Sequence, residues 1–388
     1  MEDKRYKNIL VINGIFHGHF TGSVEIVREL VSLGHNVTCY VLDEFEDRIN
    51  DIGAKIKIYT VDRSDFNKLP PQAPSFAFNS ILFSKSYNAI LDLLLKDETK
   101  YDYYIFDDFF DIQELNKILK IPTSKIILIS VFFIFTDEDY SDMSPQRTRL
   151  LNSSNMKYNI HIHDFMVIHY TPNKFKKLIL TSKHFHLRGE EADDTCFFIG
   201  PFIEERKIDK NFKFEKDKNK KLIYISLGTV ANKDFDFYSD CIEAFKNSEE
   251  FQVIISVGKS IDIKEFKEIP KNISIFNYVP QTQILPNVDI FITHGGINSV
   301  QEALLIGIPL IVFPQRYDQF DIGRRIEGLK AGILLDKKKI EITVEVLKNA
   351  VNNIVANREK YKKGIEEISD SFKESKNNRK NIYEKIFI

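Results

Sequence analysis

Short apolar runs alternate with helical patterns from the start of the chain. The run at 8–12 is mostly apolar, as expected of a parallel strand that is buried on both faces. Apolar residues then recur at helical spacing over 24–31, Gly34 follows as a helix-ending residue, and another apolar run covers 37–42. This order predicts a βαβ unit whose first loop, 13–22, lies at the carboxyl end of the first strand.

The alternation continues through the first half of the chain. Apolar runs predict four further strands, at 103–106, 125–134, 170–181 and 196–199, and a helix near 111–119. Two stretches between them, 69–83 and 135–155, lack a regular pattern, and we expect loops or irregular helices there.

A polar segment separates this half from a second one. Residues 203–221 are mostly Lys, Glu, Asp and Asn, a composition typical of a linker. Four apolar runs follow and predict the strands of a second half, at 222–227, 251–257, 273–278 and 290–293. The chain is therefore predicted to be an α/β protein of two facing Rossmann-like domains with a cleft between them, because such sheets bind ligands beyond the carboxyl ends of their strands.

The predicted division of the chain follows from these boundaries. Residues 1–202 form the first domain, 203–221 the linker and 222–370 the second domain. The remaining residues, 371–388, have a helical pattern and could cross back to the first domain. A hinge at the linker would let the two domains close on a ligand.

Composition excludes several function classes. The 54 Lys and Arg residues nearly balance the 56 Asp and Glu residues, so the net charge of −2 gives no sign of nucleic-acid or polybasic membrane binding. The 3 cysteines are far apart and form no CxxC pair, which argues against a zinc site and a disulfide framework. No apolar run is long enough to cross a membrane and the first residues lack a signal-peptide pattern, so we expect a cytoplasmic protein.

The clearest functional pattern follows the predicted strand at 290–293. His294 and the two glycines after it form a turn without bulky side chains, and Asn298 or Ser299 would cap the next helix. The N–H groups and the positive end of such a helix bind phosphate, and the histidine could donate to a phosphate oxygen. The alternative is a glycine-rich turn that contains a core histidine and binds nothing.

Residues near this turn could hold the rest of a nucleotide. Glu302, further along the predicted helix, can accept hydrogen bonds from a ribose diol, and Tyr278 offers a flat face to a base. Thr229 follows the first strand of the second half and could bind a phosphate or a sugar, with Gly228 allowing close approach of the backbone. Together these residues indicate a nucleotide site on the second domain.

A candidate general base lies in the first half. The segment 16–22 contains His17 and His19, and a histidine above the carboxyl end of a strand can remove a proton from a hydroxyl near neutral pH. A carboxylate usually holds such a histidine in the correct tautomer. Asp107 and Asp108 follow the predicted strand at 103–106, and either could do this or cap a helix instead.

These motifs resemble those of a known family. The segment 278–319 is similar to the nucleotide-sugar-binding motif of the family 1 UDP-dependent glycosyltransferases, which have the two-Rossmann-domain GT-B fold. The similarity is greatest to the bacterial branch that glycosylates macrolides and flavonoids. It extends to 17–19, 198–201 and 225–229, and so covers nearly the whole chain.

The resemblance implies a role for each matching residue of the donor site. One aromatic residue stacks on the base, one amide contacts the nucleoside, one carboxylate contacts the ribose, four residues contact the diphosphate and two read the sugar hydroxyls. In that order they are Tyr278; Gln281; Glu302; His294, Gly296, Asn298 and Ser299; and Asp318 and Gln319. The chain departs from plant members at Ile297, where Trp is common, and from the usual family pattern at Gly22, where proline is common.

The resemblance also implies the chemistry. His19, directly after the glycine, falls at the general base, and Asp107, the first residue past the strand, is the expected partner, with Asp108 as the alternative. The implied reaction is the inverting transfer of a hexose, glucose or a related sugar, from a UDP-sugar to a hydroxyl of a small-molecule acceptor. A UDP-sugar epimerase and a lipid-acceptor glycosyltransferase of the same fold are the alternatives.

No cofactor beyond the UDP-sugar co-substrate is expected, and no metal. The acidic pattern at 137–139 could hold a divalent cation, but a helix end and His294 could already stabilise the leaving diphosphate. Aromatic residues in and near the irregular stretches suit a flat or apolar acceptor such as a flavonoid, phenol or macrolide, although they could equally pack in the core. They are Phe76, Phe78, Phe83, Phe110, Phe132, Phe133 and Phe135.

Overall fold

The structure of the chain is a computed structural model. It describes the backbone at 6–49, 52–64, 75–108, 110, 112–131, 175–203, 208–228, 232–316 and 318–387. Within these ranges, the side chains at 17, 75–81, 83–84 and 113–114 are left out of the description. No helix in the described ranges is both long enough and apolar enough to cross a membrane.

The chain divides into two compact units. The first contains Met1–Thr181, Glu190–Phe202 and Lys376–Ile388, and the second contains Ser182–Gly189 and Ile203–Ser375. The sequence placed the end of the second domain at 370. In the structure a single helix continues to Asn377, so no break in the chain marks the boundary that the sequence suggested.

The structure also differs from the predicted linker at 203–221, because the residues from 208 onward pack as part of the second unit. The backbone N–H of Asp209 donates to Oε1 of Gln283 at 2.9 Å, and Nζ of Lys216 lies 2.8 Å from Oδ2 of Asp289. Composition could not show this, since a free linker and a segment whose charged side chains are paired contain the same residues.

A seven-stranded parallel sheet forms the centre of the first unit. Its strands are β1 (Asn8–Ile12), β2 (Asn36–Leu42), β3 (Lys55–Tyr59), β4 (Tyr103–Asp107), β5 (Ile126–Ser130), β6 (Lys176–Ile179) and β7 (Cys196–Phe198). They lie in the order β3-β2-β1-β4-β5-β6-β7. The order reverses between β1 and β4, where Ile12 is level with Phe106, and such a reversal leaves a crevice at the carboxyl ends of the strands.

A six-stranded parallel sheet forms the centre of the second unit. Its strands are β8 (Lys221–Ser226), β9 (Phe251–Ser256), β10 (Ile273–Phe276), β11 (Ile290–Thr293), β12 (Leu310–Val312) and β13 (Gly332–Leu334). They lie in the order β10-β9-β8-β11-β12-β13. Here the reversal is between β8 and β11, whose last residues, Ser226 and Thr293, are level with each other.

Helices connect and cover the strands of each sheet. In chain order, the described helices begin with α1 (His17–Ser32), α2 (Ser75–Lys96) and α3 (Ile112–Leu119), which belong to the first unit. Those that follow are α4 (Phe235–Phe245), α5 (Gln281–Ile284), α6 (Ile297–Ile306), α7 (Asp318–Gly328), α8 (Val344–Ala356), α9 (Arg358–Asn377) and α10 (Arg379–Ile386). The stretch at 69–83, predicted to be irregular, overlaps α2, because its three prolines all precede the first residue of that helix.

The predicted fold class is confirmed, since both units are parallel Rossmann-like α/β sheets. The apolar runs that predicted the central strands are buried as expected: Ile9 and Val11 of β1 and Ile223 and Ile225 of β8 are all 0% exposed. Burial of each such side chain contributes about 1.5–3 kcal/mol. One largely buried central strand in each sheet, β1 or β8, therefore helps to hold the sheet in place and positions the polar residues that follow it.

Candidate active site

A histidine and an aspartate form a buried pair in the first unit. His19 lies in the first turn of α1 and Asp107 is the last residue of β4. The Nδ1 atom of His19 is 2.9 Å from both carboxylate oxygens of Asp107, and the two residues are 3% and 0% exposed. Because a carboxylate can only accept, Nδ1 carries the proton and Nε2 is the nitrogen that can receive another. The pair therefore has the arrangement of a general base.

Glycines permit the close approach of α1 to the sheet. A Cβ atom at Gly14 would lie 2.4 Å from Cβ of His19 and 2.6 Å from Oδ2 of Asp107. A Cβ atom at Gly22 would lie 2.1 Å from a methyl group of Leu180. The prediction of a loop at 13–22 is thus wrong beyond residue 16, because Gly18 and Gly22 lie in α1. Gly22 allows this helix to pack closely against Leu180.

Asp108 adds a second carboxyl to this pair. His19, Asp107 and Asp108 each offer one atom that could hold a metal, and these atoms lie within 4.8 Å of one another. No other such group of three is found in the described ranges. A cation there would compete with the hydrogen bond between His19 and Asp107. Burial, and then the neighbouring charge of Asp107, raise the pKa of Asp108 to about 7.

Asn13 is a candidate that sequence reasoning missed. It directly follows β1, is 2% exposed, and neither its amide nitrogen nor its amide oxygen has a hydrogen-bond partner in the described part of the chain. A buried amide without partners is costly, so such groups occur where a ligand or water binds. The signal in the sequence was a polar residue at the carboxyl end of an apolar run.

In the second unit, β11 is followed by a sharp turn and then by α6. Gly296 is the N-cap of this helix and supplies no side-chain cap, whereas the sequence predicted that Asn298 or Ser299 would be the cap. That prediction was wrong, because the helix begins earlier, at Ile297. The diphosphate assignment does not depend on the cap: N–H groups of the first turn, including those of Asn298 and Ser299, point toward the helix N-terminus, where an anion is favoured.

Two glycines enclose the ring of His294. A Cβ atom at Gly228 would lie 2.6 Å from Cε1 of His294, and one at Gly296 would lie 2.6 Å from Nε2. Gly228 also has a φ of +77°, which side chains rarely adopt. Burial lowers the pKa of His294 to about 4, so the ring is neutral at physiological pH. At this pH the ring can therefore donate a hydrogen bond to a phosphate oxygen but adds no positive charge to the site.

The predicted nucleoside contacts form one hydrogen-bonded group. The Nε2 atom of Gln281 is 2.6 Å from Oε2 of Glu302 and 3.1 Å from Oγ of Ser299. Glu302 is only 4% exposed. Tyr278, in contrast, is 56% exposed and presents its ring to solvent, as a base-stacking residue must.

Asp318 and Gln319 are the first residues of α7. Oε1 of Gln319 accepts the backbone N–H groups of Gln315 and Arg316 at 2.8 and 2.9 Å, which fixes the orientation of its amide. A Cβ atom at Gly295 would lie 3.3 Å from the backbone oxygen of Gln319. The start of α7 is therefore next to the turn that holds His294.

Comparisons with known proteins show the family of this chain. The C-terminal domain model of the erythromycin biosynthesis protein CIII-like family matches residues 248–377. Over 362 residues the chain is 31% identical to the NDP-glycosyltransferase YjiC of Bacillus licheniformis, with 89% of each chain covered. The chain belongs to the family 1 UDP-glycosyltransferases. It is also 29% identical over 385 residues to YdhE of Bacillus subtilis, named an uncharacterized UDP-glucosyltransferase, with 95% of each chain covered.

A solved structure shows that this glycosyltransferase has the GT-B fold. The glycotransferase of kitacinnamycin superposes with a TM-score of 0.77 at 22% identity, over 98% of this chain and 99% of that chain. The two parallel α/β sheets of the enzyme therefore match the GT-B fold, which confirms the fold class predicted from the sequence.

Several predicted residues fall outside the described part of this enzyme. Thr229, the acidic pattern at 137–139 and the side chain of His17 are among them, as are the side chains of all the predicted acceptor-lining phenylalanines except Phe110. Phe110 is 1% exposed and packs in the core of the first unit. For this residue the core alternative was the right one.

Proposed function

We propose that this enzyme transfers glucose, or a closely related hexose, from a UDP-sugar to a hydroxyl group of a small apolar or aromatic acceptor, with inversion at the anomeric carbon. The observation that carries the proposal is the buried hydrogen bond between His19 and Asp107, at 2.9 Å. A protein that only bound nucleotides would not need a base held in this way. The relative YdhE is named an uncharacterized UDP-glucosyltransferase, and this name supports glucose as the donor sugar.

His19 acts as the base. Its Nε2 atom accepts the proton of the acceptor hydroxyl as the oxygen attacks the anomeric carbon from the face opposite UDP, which inverts the configuration. Asp107 accepts the hydrogen bond from Nδ1 and stabilises the positive charge that the ring gains. Because this carboxylate is 0% exposed, water does little to weaken its effect.

The second unit holds the donor. The diphosphate binds at the first turn of α6, where the helix end and the neutral ring of His294 stabilise the charge of the leaving UDP. Tyr278 stacks on the base and Glu302 binds the ribose. Oε1 of Gln319 is held by two backbone N–H groups, and the Nε2 group of the same amide donates to a sugar hydroxyl in this proposal.

A metal ion has no part in the proposed reaction. The group His19, Asp107 and Asp108 could ligate a cation, but the cation would take the carboxylate that orients the base. The UDP-sugar is therefore the co-substrate and no other cofactor is needed. We expect activity to persist in EDTA.

The acceptor is proposed to be a flat or apolar small molecule such as a flavonoid, phenol or macrolide. The similar solved structure is that of a glycotransferase of kitacinnamycin, and this name supports a natural product as the acceptor. The phenylalanine-rich stretches of the first half supply suitable apolar surface in the sequence.

The test is a transfer assay read by mass spectrometry. The purified protein is incubated with UDP-glucose, UDP-galactose or UDP-N-acetylglucosamine and a panel of flavonoids, phenols and macrolides, with and without EDTA. We expect one hexose added to the acceptor, released UDP and a β-linkage in the proton NMR spectrum. The His19→Gln variant should bind UDP as the wild type does and form no product. An isomerised UDP-sugar without any acceptor product would indicate an epimerase instead.

A further inference from the structure

The base has two carboxyl groups beside it, where one would be enough to orient it. Asp107 ends β4 and Asp108 follows it, and both have an atom within 4.8 Å of a ring nitrogen of His19. The backbone N–H of Asp108 donates to the carbonyl of Ile129 at 2.9 Å, which continues the pairing of β4 with β5. The sheet therefore fixes the backbone from which the second carboxyl extends.

Charged and polar groups from four elements face the carboxyl of Asp108. They are Asp107 of β4, His19 of α1, Ser130 of β5 and Lys177 of β6. Asp107 opposes its ionisation, whereas the positive charges of His19 and Lys177 and a hydrogen bond from Ser130 favour it. Burial has the largest effect and raises the pKa of Asp108 to about 7. This carboxyl therefore changes its charge in the pH range where a histidine base works.

Helix capping does not account for Asp108 among the residues that the structure describes. A helix cap would accept a backbone N–H of the helix it precedes, but α3 begins four residues later, at Ile112. The Oδ1 atom of Asp108 is instead buried and has no hydrogen-bond partner among the described residues. A buried carboxyl oxygen without a partner among these residues costs stability, so its position next to the base calls for a functional explanation.

We propose that Asp108 is a positioning residue for the general base: its negative charge, added to that of Asp107, raises the proton affinity of His19 and so sets the pH at which the acceptor hydroxyl can be deprotonated. The inference rests on the proposed function only for the assignment of His19 as the base. Because the interaction of two ionisable groups is reciprocal, protonated His19 favours ionised Asp108 to the same extent as the reverse.

The first experiment measures the titration of His19 without any substrate. The histidine Cε1–H signals of the full-length protein are followed by NMR over pH, and the His19 signal is assigned from its loss in His19→Gln. We expect Asp108→Asn to lower the midpoint of His19 by about 1 pH unit, the size expected when an opposite charge within 4–6 Å is removed. The matched control is Asp102→Asn, which removes the charge of a partly exposed carboxylate just before the other end of β4 and should leave the midpoint unchanged.

A second variant keeps the test decisive if Asp108→Asn fails to fold. Ser130→Ala removes the hydroxyl that favours the charged form of Asp108, so Asp108 holds its proton to higher pH. The midpoint of His19 should then fall in the same direction by a smaller amount. An unchanged midpoint in whichever of the two variants folds would overturn the proposal.

Kinetics separate this inference from the proposed function. In a transfer assay, Asp108→Asn should move the acid limb of the kcat/KM pH profile to lower pH, because a less basic His19 becomes protonated only at lower pH. It should also lower the plateau of kcat/KM, because a weaker base removes the acceptor proton less well. A structural defect would lower the plateau without moving the limb. If the wild type transfers no sugar, the proposed function fails. If it transfers sugar and neither the limb nor the NMR midpoint moves, only the role of Asp108 fails.

Discussion

Gln281 and Glu302, the two residues expected to contact the nucleoside, hydrogen bond to each other: Nε2 of Gln281 lies 2.6 Å from Oε2 of Glu302. A ribose hydroxyl that donates to Oε2 of Glu302 must therefore share this oxygen with the amide of Gln281 or displace the amide from it. Since Glu302 is 4% exposed, its carboxylate is already held in one orientation before the nucleotide arrives. Little ordering is then needed on binding.

Glu302→Gln should weaken UDP binding about 10- to 100-fold, because a hydrogen bond to a charged group is worth about 1.5–3 kcal/mol. Isothermal titration calorimetry with UDP measures this directly. The control is Glu243→Gln, which removes the exposed partner of Lys246 and should leave the affinity as it is. Equal affinities for Glu302→Gln and the wild type would remove Glu302 from the ribose site.

Gly296→Ala tests the space around His294. The new Cβ atom would lie 2.6 Å from Nε2 of the ring, which is also confined at Gly228. We expect overpacking to lower the free energy of unfolding by about 1–3 kcal/mol and, because the displaced ring lies at the turn proposed to bind the diphosphate, to weaken UDP binding as well. Gly328→Ala is the matched control, since nothing lies within 4 Å of its Cβ position. A Gly296→Ala protein that bound UDP like the control would show that the ring of His294 is not confined as described.

The neutral state of His294 predicts a pH dependence of stability. Burial lowers its pKa from 6.5 to about 4, so between these values the unfolded chain binds a proton that the folded chain does not. The stability contributed by the neutral ring is thus present above pH 6.5 and is lost as the pH falls toward 4. Thermal unfolding at pH 7 and pH 5 should show a smaller loss for His294→Gln than for the wild type. The exposed His184, replaced by Gln, should leave the loss unchanged.

The strands and the donor motif could be predicted because their signals are local. A parallel strand buried on both faces is a continuous apolar run, as at 8–12, and the donor site is concentrated in the segment 278–319. The partner of His19 could be narrowed to two residues because Asp107 and Asp108 directly follow the apolar run at 103–106, where the resemblance to the family places the partner. The hydrogen bond then selects Asp107.

Other features depend on contacts between distant residues, which one sequence does not encode locally. Gly22 suggested a loop because glycines are common in loops. In the structure it lies in a helix, where a side chain would collide with Leu180, a residue far along the chain. The segment after 208 looked like a linker because its partners, such as Asp289, lie in the second unit. The burial that raises the pKa of Asp108 is likewise a property of the packed structure.

Asp107→Asn tests the orientation of the base. An amide in this place can present its NH₂ group to Nδ1 and so favour the wrong tautomer of His19, and the comparable change in a Ser-His-Asp triad lowers turnover about 10⁴-fold. We expect a loss of about 10³-fold or more in product formation, with UDP affinity unchanged. Asp102→Asn again serves as the control. A variant that kept most of its activity would show that Asp108, or no carboxylate, orients His19.

Arg379 attaches the C-terminal residues to the rest of the first unit. Its guanidinium is buried, pairs with Oε1 of Glu29 at 2.8 Å and donates to the carbonyl of Pro201 at 2.6 Å. The carbonyl of Ile199 accepts another of its N–H groups, and the ring of Phe202 lies 3.7 Å from Cζ. One side chain thus satisfies acceptors on α1 and on the segment after β7.

Arg379→Met keeps the apolar stem of this side chain and removes its charge. We expect the free energy of unfolding of the first unit to fall by about 3 kcal/mol, because the buried carbonyl groups of Ile199 and Pro201 lose their donor and the half-buried Glu29 loses its ion-pair partner. Urea unfolding monitored by circular dichroism measures the change, and UDP binding reports whether the second unit remains intact. Arg28→Met, which breaks an exposed pair with Glu25 on the same helix, should cost about 0.5 kcal/mol or less. Similar losses for the two variants would mean that Arg379 does not attach the C-terminal helix, and that packing of α10 alone holds it.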